Sequence, residues 1–302
     1  CLRPWELWQR RVTAAFKLTA VTATLLCATL VFSTCNTVSE QVLVAKRNFY
    51  GVLSVICRTD PATGNRLREL VHGRIVHGSQ WEQADQRLIP TTYFTRNSGV
   101  GVALTRHLPN RPRRIGVIGL GAGTLATYGN QGDIIRFYEI NPDVIELAER
   151  HFSFLSDSEA KIELVLGDAR LMLERESPQR FDILVLDAFS GDAIPVHLLT
   201  QEAMKLYDSH LQTDGVLAFH ISNAYFDLRP IVAGLAQNCD YQFHEVLGKA
   251  DSSQSALSSL WVLLSKESTC LETLLEQHPE SIPAGKTVLW TDDRNNLFEA
   301  LR

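Results

Sequence analysis

The sequence predicts an α/β protein: a mostly parallel, doubly wound sheet preceded by a small β-domain and an N-terminal membrane helix. Three observations carry that expectation. Beyond about residue 101, short apolar runs alternate with helical stretches, as parallel strands joined by crossover helices do. Between residues 41 and 100, β-branched and aromatic segments are separated by turn residues. Residues 18–38 carry no charged side chain, about the length of a bilayer-spanning helix. The expected units are 1–40, a membrane-anchoring helix and its flank; 41–100, the β-domain; and 101–302, the main domain.

The N-terminal stretch LTAVTATLLCATLVF is rich in Leu, Val and Ala, and its threonines can be satisfied within a helix. Trp5 and Trp8, with Arg10, Arg11 and Lys17, resemble an interfacial girdle on one side. A secretory signal is the competing reading, but its apolar region is usually only ~7–15 residues long. The chain opens on Cys1 rather than Met, and further sequence upstream is expected. The basic flank alone would place the large domain outside the cell. Lys46 and Arg47 partly offset that bias, and the large domain is expected on the cytoplasmic side.

In the β-domain, NFYGVLSVICR, RLRELVHGRIVHG and LIPTTYF have strand-like content, and DPATGN between the first two is a turn. They suggest a small antiparallel sheet or a pair of hairpins, serving as a lid or platform. The main domain opens on the strand IGVIG and the turn GLGAGT, followed by a short helix. IIRFYEI is the second strand, and NPDVIELAERHFSFL is a helix with Asn141 as N-cap. IELVLGD and FDILVLD are strands that each end on an aspartate. PVHLLTQEAMKLYDSHL (helix), GVLAFHIS (strand), LRPIVAGLAQNC (helix) and the strands QFHEVLG and SLWVLLS complete the sheet.

Composition narrows the function. The 302 residues are 45% hydrophobic, ample for a packed core, and a net charge of −5 argues against nonspecific nucleic-acid binding. The six cysteines show no metal-ligand spacing, so no metal is expected, and no disulfide framework, which favours a reducing compartment.

Gly119, Gly121 and Gly123 form G-x-G-x-G between a strand and a helix, where the backbone can turn tightly and approach a ligand. Glu139 ends the second strand ~20 residues on, where an acidic side chain can hold ribose hydroxyls. Asp168, closing the third strand, can accept a hydrogen bond from an adenine amino group. Together these point to a nucleoside site. A dinucleotide oxidoreductase fits less well, because Thr124 stands where G-x-G-x-x-G needs its last glycine. Asp168 and Asp187, each closing a strand, suit a transferase using a sulfonium nucleoside.

IGLGAGTLATYG, FYEINPDV, LGDAR, FDILVLDAFSGDAIPVHLLT and LWTDDRNNL, in that order, resemble the spermidine synthase family. HGRIVHGSQ resembles that family's N-terminal β-domain motif, and RNFYGVLSV after an apolar segment resembles its membrane-fused bacterial branch. The resemblance covers roughly residues 47–302. It implies a methyltransferase-like Rossmann domain that moves an aminopropyl group from decarboxylated S-adenosylmethionine to a di- or polyamine. It further implies that Glu139 holds the ribose, Asp168 the adenine, and that Asp187 binds and deprotonates the attacking amine. Gln80 matches a glutamine near the polyamine and nucleoside, and Tyr93 a tyrosine at the substrate gate. Asp192 and Asp292 or Asp293 add negative charge for a polycation. A homodimer is compatible with this reading.

Two features depart from the family pattern. Ala122 stands where an aspartate grips the cofactor's aminopropyl amine, and Phe94 and Thr95 replace a His-Glu pair after the gate tyrosine. Both changes weaken recognition of amines at the reacting end and leave the nucleoside half intact. Methyl transfer from S-adenosylmethionine therefore stays open, as does a noncatalytic ligand-sensing domain. His72 and His77 lack a third ligand for a metal. His197 and His220 lie near strand ends, where they can touch substrate or serve structure.

Overall fold

The computed structural model describes residues 19, 21–24, 26–27, 40–59, 63–188, 195–275 and 287–301. Most of the 18–38 segment, with its membrane-helix expectation, lies outside the described residues. Among the described residues, no helix is long and apolar enough to cross a membrane.

The N-terminal unit is a four-stranded antiparallel meander, β1 (Glu40–Asn48), β2 (Gly51–Thr59), β3 (Arg66–His72) and β4 (Ile75–Trp81). NFYGVLSVICR does not run as one strand. It breaks at Phe49–Tyr50, where Gly51 at φ +128° turns the chain and a Cβ would fall 2.5 Å from His72 Nε2. LIPTTYF is not a strand at all: Pro90 lacks an N–H for a ladder, and Thr92 sits at φ +54°. Its irregular path buries Tyr93 and Phe94 against the main sheet instead.

The main sheet has seven strands in the order β10-β11-β9-β8-β5-β6-β7. β5 (Arg114–Ile118), β6 (Ile134–Glu139), β7 (Lys161–Leu166), β8 (Phe181–Leu186) and β9 (Leu211–His220) are parallel. β10 (Gln242–Gly248) and β11 (Ser259–Ser265) add an antiparallel edge. Helices cover both faces: α1 (Gly99–Arg106), α2 (Pro142–His151), α3 (Phe154–Asp157), α4 (Ala169–Arg175), α5 (Gln201–His210), α6 (Arg229–Asn238) and α7 (Ser268–Leu275). Strand alternation divides the core, with Val117, Ile183 and Val185 on one face and Ile118, Leu184 and Leu186 on the other. Leu53, Val55 and Leu70 of the meander join the first of these clusters, so the meander shares a core with the main domain.

Two polar devices hold the site's scaffold. Arg113 and Asp133, both buried, form an ion pair at 2.7 Å. Asp133 also accepts the Arg113 and Asn130 N–H groups, while Arg113 donates to the Leu104 and Tyr128 carbonyls. This ties the entries of β5 and β6 to the end of α1. At the meander, Lys46 bonds Asp143 (3.0 Å) and Glu146 (2.5 Å), and Asn48 bonds Asn141 and Asp143, docking β1 onto the first turns of α2.

Candidate active site

From β5 the chain builds outward to β6 and β7, then returns to place β8 on the other side of β5. Open α/β sheets bind ligands where the strand order reverses, at the carboxyl ends. Gly119 leaves β5 at that point with φ +97°, and a Cβ on it would collide with the Asp187 carbonyl oxygen. Gly121 (φ +54°) lies so close to the His77 carbonyl of β4 that a Cβ would collide there too. These two glycines let the turn pass between β8 and the meander. A cleft of about 270 Å³ opens beside it, lined by the turn, by Glu139, Asp168 and Asp187, and by Tyr50, His72 and His77 of the meander.

Glu139 is buried at the end of β6. Its Oε2 accepts the Leu120 N–H (3.0 Å) and its Oε1 the Asn141 N–H (2.8 Å). Burial pushes its carboxyl up, while those backbone donors pull the other way. Glu139 thus braces the glycine turn as well as facing the cleft. Asp168 caps α4, its Oδ1 accepting the Leu171 N–H (3.0 Å), and its Oδ2 lies 3.0 Å from His197 Nε2.

Asp187 follows β8, and its Oδ1 lies 2.6 Å from His220 Nδ1. Its side chain is 10% exposed, and Oδ2 takes no hydrogen bond among the described residues. Burial raises its carboxyl pKa, and His220 opposes the rise. Tyr93 is buried with its ring stacked on His220 at 4.5 Å, and burial lifts its phenol well above its ordinary value.

The other expected residues stand apart from the cleft lining. Gln80 is buried with its amide spent on Ser153 N–H (3.0 Å), Ser153 Oγ (2.9 Å) and the Arg87 carbonyl (3.1 Å), which ties β4 to the start of α3. Asp292 is exposed and held by both Arg170 terminal nitrogens (2.7 and 2.5 Å) and by Thr200. Arg170 also donates to the His197 carbonyl, so Asp292 supports the Asp168 end indirectly. Asp293 is exposed beside it. Asp192 lies outside the described residues. No group of three or more potential metal ligands occurs among the described residues.

Ala122 is fully buried and outside the cleft lining; a Cβ on Gly78 would stand 2.6 Å from its own. The place beside it is occupied by β4, whose His77 carbonyl accepts the Ala122 N–H (3.1 Å). His77 lines the cleft with a buried Nε2 that has no hydrogen-bond partner among the described residues, and burial lowers its pKa to about 4, leaving a neutral imidazole.

Sequence reasoning gave His220 no firm role and missed Ser222 and Trp261. The available signal was topological: β8 and β9 are parallel neighbours with Leu186 opposite Phe219, so Asp187 and His220 leave the sheet side by side.

Solved structures with the same architecture include spermidine synthase from Thermotoga maritima (TM-score 0.52, 14% identity, 82% of this chain and 81% of that one). A probable spermidine synthase from Corynebacterium glutamicum aligns with a TM-score of 0.57 at 16% identity, over 82% of this chain and 90% of that one. The chain shares the fold of these two structures, a Rossmann-like α/β domain with an N-terminal antiparallel sheet. In sequence, a polyamine aminopropyltransferase of Vibrio vulnificus is 36% identical over 115 residues, 35% of this chain and 37% of that protein. An N-terminal histidine N-methyltransferase of Emericella nidulans is 35% identical over 112 residues, 34% of this chain and 19% of that protein. These matches span little more than a third of the curated relatives at most. No family model matches. The homologues and structural neighbours are transferases, which supports an enzyme.

Proposed function

We propose that the chain is an aminopropyltransferase-like enzyme that moves an aminopropyl group from decarboxylated S-adenosylmethionine to a di- or polyamine. The observation that carries this reading is a cleft-lining carboxylate, Asp187, set beside a nucleoside-sized cleft at the reversal of the sheet. Glu139 and the glycine turn fit a ribose, and Asp168 an adenine edge. The donor supplies a carbon activated by a sulfonium leaving group. Asp187 Oδ2 binds the acceptor ammonium and takes one of its protons, breaking N–H and forming O–H. The freed lone pair then bonds to the activated carbon. The C–S bond breaks with its electrons passing to sulfur, leaving a neutral thioether and an alkylated ammonium.

A second reading, methyl transfer from intact S-adenosylmethionine, is favoured by Ala122. The space where an amine-gripping carboxylate would stand is filled by Gly78, and the adjacent polar group is the neutral His77. The membrane-fused arrangement, with the catalytic domain on the cytoplasmic side, belongs to the same proposal and rests on the uncharged stretch at 18–38. Partition of the full chain into the soluble fraction after ultracentrifugation would remove that part alone. Mass spectrometry of reactions with each donor and a panel of amines tests the chemistry. One aminopropyl gained supports the first reading, one methyl the second, and no product with any pair contradicts both.

A further inference from the structure

Asp187 does not stand alone. His220 Nδ1 lies 2.6 Å from its Oδ1, and His220 Nε2 lies 2.9 Å from Ser222 Oγ, which accepts the Leu260 N–H at 2.7 Å. The imidazole lies between two near-parallel rings, Tyr93 at 4.5 Å and 22° and Trp261 at 4.7 Å and 18°. The Trp261 indole N–H donates to the Tyr93 carbonyl, which locks the stack to the loop after β4. With the carboxylate ionised, Nδ1 carries a proton toward it, and Ser222 serves Nε2 as donor or acceptor according to the ring's charge. A ring confined on both faces and at both nitrogens has one orientation.

We propose that His220 is a positioning residue for Asp187: it fixes the carboxylate's rotamer and holds it in the ionised form that accepts the acceptor's proton. This rests on the reading of Asp187 as the base. Burial alone favours the protonated carboxyl, which could not take a proton, and the hydrogen bond and charge of His220 oppose that. Among the described residues, the other titratable groups coupled to the pair are Tyr93, His77 and Glu139. Tyr93 and His77 are neutral near pH 7, and both Glu139 oxygens are engaged by backbone N–H groups. Among the described residues, His220 is therefore the group placed to counter the Asp187 charge directly.

Two variants separate positioning from packing. His220→Phe keeps a flat ring between Tyr93 and Trp261 and removes both nitrogens. His220→Asn keeps an N–H donor near the Nδ1 position. Infrared difference spectra against Asp187→Asn report the Asp187 carboxyl as pH is varied, without needing turnover. The protonation midpoint should rise by roughly one to two pH units in His220→Phe, the worth of a lost charge-assisted hydrogen bond, and stay near wild type in His220→Asn. With the acceptor found by mass spectrometry, the acid limb of kcat should move up with it. Calorimetric affinity for methylthioadenosine should be unchanged in both. An unshifted midpoint and normal kcat in His220→Phe overturn the proposal. So does equal loss in both variants together with loss of methylthioadenosine binding. Normal turnover in Asp187→Asn overturns instead the reading on which it rests.

Discussion

Replacing Glu139 by glutamine separates a ligand contact from a structural brace. Both carboxylate oxygens accept backbone N–H groups, from Leu120 inside the glycine turn and from Asn141 at the start of α2. A glutamine supplies one oxygen in that geometry and must aim its NH₂ at the other donor. One charge-assisted bond, worth about 1.5–3 kcal/mol, is lost, and a buried N–H is left unpaired at a cost of about 1–3 kcal/mol. The two overlap, so Glu139→Gln should destabilise the fold by roughly 2–4 kcal/mol. Affinity for methylthioadenosine should fall as well, because the Leu120 segment of the turn is no longer fixed. Urea unfolding and calorimetry on one preparation measure both. A variant that loses affinity at unchanged stability would refute the brace, and one that loses stability at unchanged affinity would refute the ribose contact.

Removing Asp133 leaves Arg113 charged and buried, so Asp133→Ala should cost about 3–5 kcal/mol in urea unfolding. Ala122→Asp should neither restore a grip on an amine nor fold well; it buries a carboxylate against Gly78, and its thermal midpoint should drop by several degrees. The pKa of His77, lowered to about 4, gives acid sensitivity with a definite sign. The unfolded chain takes up a proton near pH 6.5 that the folded chain refuses, so stability is lost as pH falls from about 6.5 to 4, by up to about 3 kcal/mol. His77→Phe should flatten that part of the pH–stability curve.

The parallel sheet was legible because β5, β6 and β8 are apolar runs ending on turn or acidic residues, a pattern local to each strand. The carboxylates that line the cleft were legible for the same reason: Glu139, Asp168 and Asp187 each sit at or just past a strand end. What was not legible depends on packing between elements. LIPTTYF has strand-like residues, yet it follows the contacts of Tyr93 and Phe94 with the main core. Gln80 matches a motif by position, but its amide meets Ser153 and Arg87, which only the docking of β4 near α3 brings into reach. Ala122 reads in sequence as a missing carboxylate; in space it is the contact that lets β4 cover the turn.

The proposed role of Asp187 is that of the base in a transferase acting on a sulfonium nucleoside. Its direct test is single-turnover mass spectrometry of wild type and Asp187→Asn with the productive donor and amine, beside methylthioadenosine affinity and thermal midpoint. Asp187→Asn should lose about 10²–10⁴ in rate, with affinity retained and the fold intact. A folded Asp187→Asn enzyme that binds the nucleoside and transfers the group at near-normal rate would contradict it.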